Sequence, residues 1–338
     1  MKIKARESDL LETNDNIFFD VKGSVHPPNR VVAFIRYVPD SVGNRERDEK
    51  RYSKIYALSK RYDLLKRNYP QYLVNDPVFN TLLCEVPVED IKQHYQPAQG
   101  LQDLRNRNNL DETETTALQF MEHLRENAGV HWSKLGVSGS ILVKLHEASS
   151  DIDLTVYGSE TGYRVQAAMK EMLEDKNSPF KAYKMDGLLE LFDFRSKDTI
   201  ISFEDFFRTD SRKVSHGKFK GRDFFIRFVK DLNEISEQYG SIIYRPEGRA
   251  RIKATVVDDS ESLFTPCSYK LANVTNIEGT KVGPIEEIVS FRGRFCEQAR
   301  NGETVSAEGK LERVTQEGKH DHVRLLLGSK PSDHMILT

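Results

Sequence analysis

The stretch Gly136-Val-Ser-Gly139-Ser140, ten residues, then Asp151-Ile-Asp153-Leu-Thr-Val-Tyr-Gly158, constrains this chain more than any other. A small-residue turn precedes two carboxylates on a run in which apolar and polar residues alternate. In a strand, residues two apart share a face. The spacing therefore predicts Asp151 and Asp153 side by side, with Ile152 and Leu154 on the opposite, packed side. Two carboxylates on one face, near a turn able to receive phosphate oxygens, are the elements of a Mg2+-nucleotide site.

Length allows two or three domains around such an element: 338 residues support a sizeable core. With 38% hydrophobic residues well distributed and 30% charged, the chain is expected to fold and be soluble. The formal net charge of −2 gives no global basic field, so nucleic-acid binding would need a local patch. Met1 to Asp9 holds no apolar core for a secretory signal, and no run reaches membrane-span length. Cys84, Cys267 and Cys296 are odd in number and far apart, which argues against a disulfide framework or a cysteine zinc site. The expectation is a cytoplasmic protein without membrane association.

Along the chain, Ile17 to Gly23 and Arg30 to Val38 read as adjacent strands separated by His26-Pro-Pro, a rigid turn. Tyr52 to Tyr69 reads as a tyrosine-rich helix with tyrosines 52, 56, 62, 69 and 72 on a buried face. Pro70 to Leu104 is broken by four prolines into short elements. A helix starts at Asp111 with Ala117, Phe120, Met121 and Leu124 inward, and stops at Asn127-Ala-Gly129. A second covers Tyr163 to Asp175. Gly187 to Phe194 and Ile200 to Phe207 are ambiguous between helix and strand. Asp223 to Val229 and Arg249 to Val257 are strands, the second with Arg249, Arg251, Lys253 and Thr255 on one face. From Ser260 the pattern is all-β, with turns at Asn301-Gly302 and Glu317-Gly318. This gives an N-terminal α+β region (1–110), a core (111–259) and a β-rich C-terminal region (260–338). The last reads as an OB-like or other small barrel, able to bind nucleic acid or serving only for packing. Its charges balance, eight of each sign over residues 286–330.

Gly139-Ser140 followed by Ser150-Asp151-Ile-Asp153-Leu resembles the signature of the DNA polymerase beta-like nucleotidyltransferase superfamily. Over nearly its whole length the chain also resembles an uncharacterised archaeal family of predicted nucleotidyltransferases. The segments that carry this are His26-Pro-Pro-Asn-Arg-Val, Arg36-Tyr-Val-Pro-Asp40, Gly136 to Val143, Asp258 to Cys267 and Ser290 to Ala299. The resemblance implies an α+β fold whose polymerase beta-type core is a mixed sheet with helices. It implies transfer of NMP from an NTP donor to a hydroxyl of a nucleic acid, protein or small molecule. The catalytic residues would be Asp151, Asp153 and a third carboxylate. Asp151 and Asp153 would hold Mg2+ or Mn2+, and Gly139 and Ser140 would bind the nucleotide. Phosphoryl transfer is mostly positioning and charge neutralisation, which explains why such a signature is small.

The chain departs from that signature in two places. Lys144 stands where many members have a second glycine, and reads as a solvated residue or a phosphate contact. The third carboxylate is open among Asp223, Asp193, Asp258 and Asp259; Asp223, at the start of the next strand, is preferred. Arg208 to Lys230 holds eight Lys or Arg against two Asp, which reads equally as a patch for triphosphate or a nucleic-acid backbone and as a solvated loop. His146 and His216 read as surface or core residues. The alternative to an enzyme is an inactive protein that binds nucleotide or RNA on the same scaffold.

Overall fold

Each apolar-alternating segment of the chain becomes a strand in the computed structural model, which describes residues 3–338. Met1 and Lys2, which open the segment read as lacking a secretory signal, lie outside the described residues. The chain divides into two units. One comprises Met1–Val74, Cys84–Ala182 and Val214–Ile235, the other Asn75–Leu83, Tyr183–Lys213 and Ser236–Thr338. The architecture is mixed α+β. Among the described residues no helix is long and apolar enough to cross a membrane.

The first unit opens with β1 (Leu10–Thr13), β2 (Phe18–Val21), β3 (Arg30–Pro39), β4 (Arg45–Arg47) and β5 (Lys50–Lys54), followed by α1 (Leu58–Asn68). After β6 (Leu73–Asp76) and β7 (Thr81–Pro87), a hairpin whose residues 75–83 belong to the second unit, comes β8 (Ile91–Tyr95). These strands form one sheet in the order β4-β5-β3-β2-β1-β8, with β7 also on β3. Phe19, Val21, Val31, Ala33 and Ile35 form its core with Leu65 of α1. Tyr52 lies on β5 and Tyr72 in a short 3-10 turn, so the expected tyrosine helix is only partly a helix, starting at Leu58. Tyr52 instead joins Leu10, Phe18 and Tyr37 on the second face of the sheet, against Val143 and Leu145.

His26 braces the turn between β2 and β3. Val32 N–H donates to its Nδ1 at 3.3 Å, so the ring proton sits on Nε2, which faces the Ala5 carbonyl at 3.1 Å. Both partners are backbone and suit the neutral ring.

The rest of the first unit is built on α2 (Pro97–Asn106), α3 (Glu112–Ala128), β9 (Leu135–Val137), α4 (Gly139–Leu142), β10 (Ile152–Tyr157), α5 (Ser159–Glu174), β11 (Phe180–Lys181), β12 (His216–Phe219) and β13 (Arg222–Val229). Asp111 and Glu114 form a reciprocal capping box at the start of α3, and Gly129 ends it in the left-handed region, as the residue types dictate. The sheet order is β11-β12-β13-β10-β9, with β10 and β13 parallel and the other pairs antiparallel. Phe120 of α3 drives this assembly. Its ring meets Phe180, Phe219 and Phe224 edge-on at 4.8, 5.0 and 5.0 Å, one aromatic from each of three adjacent strands.

In the second unit both ambiguous segments are helical: α6 (Met185–Arg195) and α7 (Phe203–Asp210). The strands are β14 (Ile242–Asp258), β15 (Cys267–Gly279), β16 (Ile285–Ser290), β17 (Thr304–Gln316), β18 (His322–Leu327) and β19 (His334–Leu337). The order β14-β15-β16-β18-β17 closes through a β14–β17 pairing, with β16 and β18 parallel. This circuit is that of an OB-type barrel. Ala250, Ile252, Ala254 and Val256 point into its core with Tyr269, Ile288, Leu311 and Leu325, as the alternation required. Residues 242–258 precede the β-rich boundary at 260 yet belong to this barrel, because the partners of β14 are β15 and β17.

Burial lowers the His26 pKa to about 4, below its ordinary 6.5. The unfolded chain therefore binds the proton first, and stability falls as pH drops from about 6.5 through about 4. His26→Asn, which keeps an acceptor for Val32 N–H, should lessen that loss by up to ~3 kcal/mol. Urea denaturation of both proteins at pH 7 and pH 4 reads the difference, and equal losses would show that the histidine plays no part.

Candidate functional site

The parallel pairing of β10 with β13 places Asp153 opposite Phe225 and Thr155 opposite Arg227. Ile152 and Leu154, opposite Phe224 and Ile226, are buried on the other face. Asp151 directly precedes Ile152 and Asp223 directly precedes Phe224, so the two acids stand at the same level on the face that carries Asp153. Asp151 is exposed, Asp153 and Asp223 half-buried. Asp193, by contrast, lies on α6, and Asp258 and Asp259 at the end of β14, all in the second unit. Among the acids considered, Asp223 is the one that shares the face. Lys218 of the neighbouring strand donates to its Oδ1 at 2.8 Å.

The small-residue turn lies directly on this face. Ser138 N–H donates to the Asp153 carbonyl at 2.8 Å, which ties the turn to the carboxylate strand. Gly139 has φ +60°, and a Cβ there would come within 2.8 Å of Asp153 Cγ, so both conformation and space demand glycine. Ser140 follows, buried, its Oγ without a hydrogen-bond partner among the described residues. Lys144 is exposed at φ +53°, a conformation that glycine adopts without strain.

The N-terminal sheet supplies residues that sequence reasoning missed. A cavity of about 40 Å3, sized for an ion or a water or two, is lined by Asp153, Gly139, Ser138 and Arg227 together with Ser8, Asp20, Arg36 and Tyr37. Glu7, fully buried, accepts from Lys22 at 3.0 Å, from Gly23 N–H at 2.7 Å and from Arg227. Lys22 also pairs with Asp20 at 3.0 Å. Burial would raise the Asp20 pKa, but Lys22, Arg227 and Arg36 outweigh it and hold the group ionised, well below the usual carboxylate range. Asp153 goes the other way. Burial and the neighbouring Asp151 push it up to about 6, against Lys54, Arg36 and Arg227. The missed signal was the charges Asp20, Lys22 and Arg36 set within strands that otherwise read as apolar.

The basic stretch divides between the two units at Lys213 and Val214. Arg212 pairs with Glu303, and Lys213 donates to the Arg294 carbonyl and Gln298 in the second unit. Lys218 binds Asp223, Lys220 binds Gln119, Arg222 binds the Ala148 and Ser150 carbonyls, and Arg227 binds Glu7 in the first. Six of the eight basic residues thus have internal partners, and Arg227 lines the cavity beside Asp153. A second group of possible ligands, Asp111, Glu114 and His146, is accounted for by the capping box, by Arg107 on Glu114 at 2.6 Å, and by His146 Nε2 against Asp111 at 2.6 Å. His216 is buried within β12.

Two outcomes follow from this geometry. Gly139→Ala should cost ~2–4 kcal/mol in urea denaturation, since it adds left-handed strain to a clash with Asp153. Gly221→Ala, with φ +85° and open space around it, should cost only the ~1 kcal/mol of the backbone term. Equal costs would contradict the close packing of turn and carboxylate. Asp153→Asn removes a charge whose pKa is raised on folding, a cost that grows as pH rises from about 4 through about 6. It should stabilise the protein in EDTA at pH 7.5 by ~1–3 kcal/mol; destabilisation would refute the charge crowding.

No family model matches the chain, and no solved structure matches it. It is 31% identical over 335 residues, 97% of its own length and 96% of the other's, to a protein of Methanocaldococcus jannaschii described as uncharacterized protein MJ1086. That similarity spans both units, the turn and the carboxylate strand included. At such identity and coverage, the chain belongs to the family of that archaeal protein.

Proposed function

We infer that the chain is a metal-dependent nucleotidyltransferase, moving NMP from an NTP to a hydroxyl acceptor. The observation that supports this most is the packing of Gly139 on the Asp153 carboxylate, beside Asp151 and on the face that carries Asp223. In support of the reading, a small-residue turn and three acids stand on one small surface. The donor set is hard oxygen, and the raised pKa of Asp153 reflects burial first and the like charge of Asp151 second, a strain on the ionised pair that a cation would relieve. Both features fit Mg2+ or Mn2+, held by Asp151 and Asp153. Such an ion, when bound, neutralises triphosphate charge as it develops in transfer.

The chain's own residues would do the rest. Gly139 lets the backbone approach a phosphate oxygen, and Ser140 Oγ, unspent within the protein, is a donor for another. Asp223, at the open end of β13, would accept the proton of an incoming hydroxyl once released from Lys218. One observation favours a second reading, a nucleotide- or RNA-binding protein without turnover: Lys218 already neutralises that third acid.

Transfer of label from each α-labelled NTP, in Mg2+ or Mn2+, tests the reading. Asp151→Ala with Asp153→Ala should lower transfer by ~1,000-fold or more, as expected when groups acting as a unit are removed. Transfer that survives the double substitution would sink the assigned site. Nucleotide binding with no transfer to any offered acceptor would support the second reading.

A further inference from the structure

Arg36 is half-buried beside the carboxylates, and among the described residues its guanidinium makes no hydrogen bond and no ion pair within 4.0 Å. Its side-chain neighbours include Tyr37, the Tyr56 ring at 5.4 Å and, through longer-range attraction, Asp20 and Asp153. Lys54 is in the same position. It stands 4.7 Å from the Tyr56 ring and acts on Asp153 at a distance, with no ion pair of its own among the described residues. A partly desolvated cation normally finds a carboxylate. Here the nearest acids are Asp20, bound to Lys22, and Asp153, which faces Asp151.

The strand pattern places both cations there. Asp20 pairs with Phe34 and Phe18 with Tyr37, and the register shifts at Arg36, a bulge that brings Arg36 and Tyr37 together to the Asp20 side, opposite Ala33 and Ile35 in the core. Lys54 pairs with Tyr37 at the end of β5. Asp20 and Asp153 line the cavity with Arg36 and Arg227, Glu7 and Asp151 adjoin them with Lys22 and Lys54, and Asp223 is matched by Lys218, so acids and cations balance. A divalent ion on Asp151 and Asp153 would leave this surface with excess positive charge, which a polyanion would neutralise. The planar guanidinium of Arg36, with its N–H groups unspent, matches phosphate oxygens.

We propose that Arg36 and Lys54, carried by the N-terminal sheet, hold the triphosphate of the donor nucleotide. This rests on the nucleotidyltransferase reading for the identity of the ligand, but not for its charge. The N-terminal region is then part of the donor site, and not only a platform for the acceptor.

Inorganic tripolyphosphate with Mg2+ is a probe free of base preference. Its binding to the full chain, measured by calorimetry, should weaken about tenfold in Arg36→Gln and in Lys54→Gln, the loss of a charge-assisted contact. Arg36→Lys should retain part of the affinity, and Lys60→Gln, an exposed position on α1, all of it. In the transfer assay the two Gln variants should raise KM for the NTP more than they lower kcat. Thermal melting guards against misfolding, with Arg36→Lys and Lys54→Gln as independent reports if Arg36→Gln does not fold. Weakened tripolyphosphate binding in a protein that transfers no label would support the clamp and remove the transferase reading. Unchanged binding in both Gln variants overturns the clamp while active wild-type transfer leaves the transferase reading standing. A wild-type protein that binds no tripolyphosphate overturns the clamp as well.

Discussion

The candidate site depends on one constraint, the parallel register of β10 and β13. A shift of one residue would turn Asp153 toward Phe120 and the aromatic cluster, where an ionised carboxylate is prohibitively expensive. Ile152, Leu154 and Val156 facing Phe224, Ile226 and Phe228 lock the register from the apolar side. The acids are therefore gathered by hydrophobic packing on the opposite face of the same strands. The Gly139 turn then sits against Asp153 because Ser138 bonds to that strand's backbone and glycine leaves room.

Electrostatics within the first unit follow from that placement. The face carrying Asp153 also carries Thr155, fully buried, whose hydroxyl lies 2.5 Å from that of Ser8. One residue earlier, Glu7 is buried and holds Lys22 and Arg227 together. A buried carboxylate is tolerable only when its oxygens are fully engaged, and Glu7 meets this with two cations and a backbone N–H. Asp20 is kept ionised by the same group of cations, while burial and, after it, the charge of Asp151 push Asp153 toward protonation. Two neighbouring carboxylates are thus driven in opposite directions by their different surroundings.

The barrel of the second unit obeys simpler rules. Its strands bury one residue in two, and its surface charges pair locally: Arg249 with Asp333, Arg251 with Glu278 and Lys270 with Glu287. Such pairing accounts for the balanced composition of the C-terminal region without invoking a ligand. The fold-level likeness to barrels that bind oligonucleotides adds no site by itself.

Local pattern determined much of this protein directly. The helix from Asp111 with its capping box and Gly129 stop, the alternation of β10 and β14, the His26 turn and the pairing of Asp151 with Asp153 are all short-range consequences of residue type and spacing. Such features are legible because caps, turns and faces are decided within a few residues. Tyr52 was misread because its apolar ring fits a helix face and a strand face equally, and only β4 and the packing at Val143 and Leu145 decide between them. Tertiary structure alone decided that Asp20, Arg36 and Lys54 stand with Asp153, more than a hundred residues away in some cases, and that the basic stretch around Arg222 is spent on internal partners. Those encounters are set by how separate strands stack and by where charges find neutralisation once water is excluded, quantities that no local window of sequence contains.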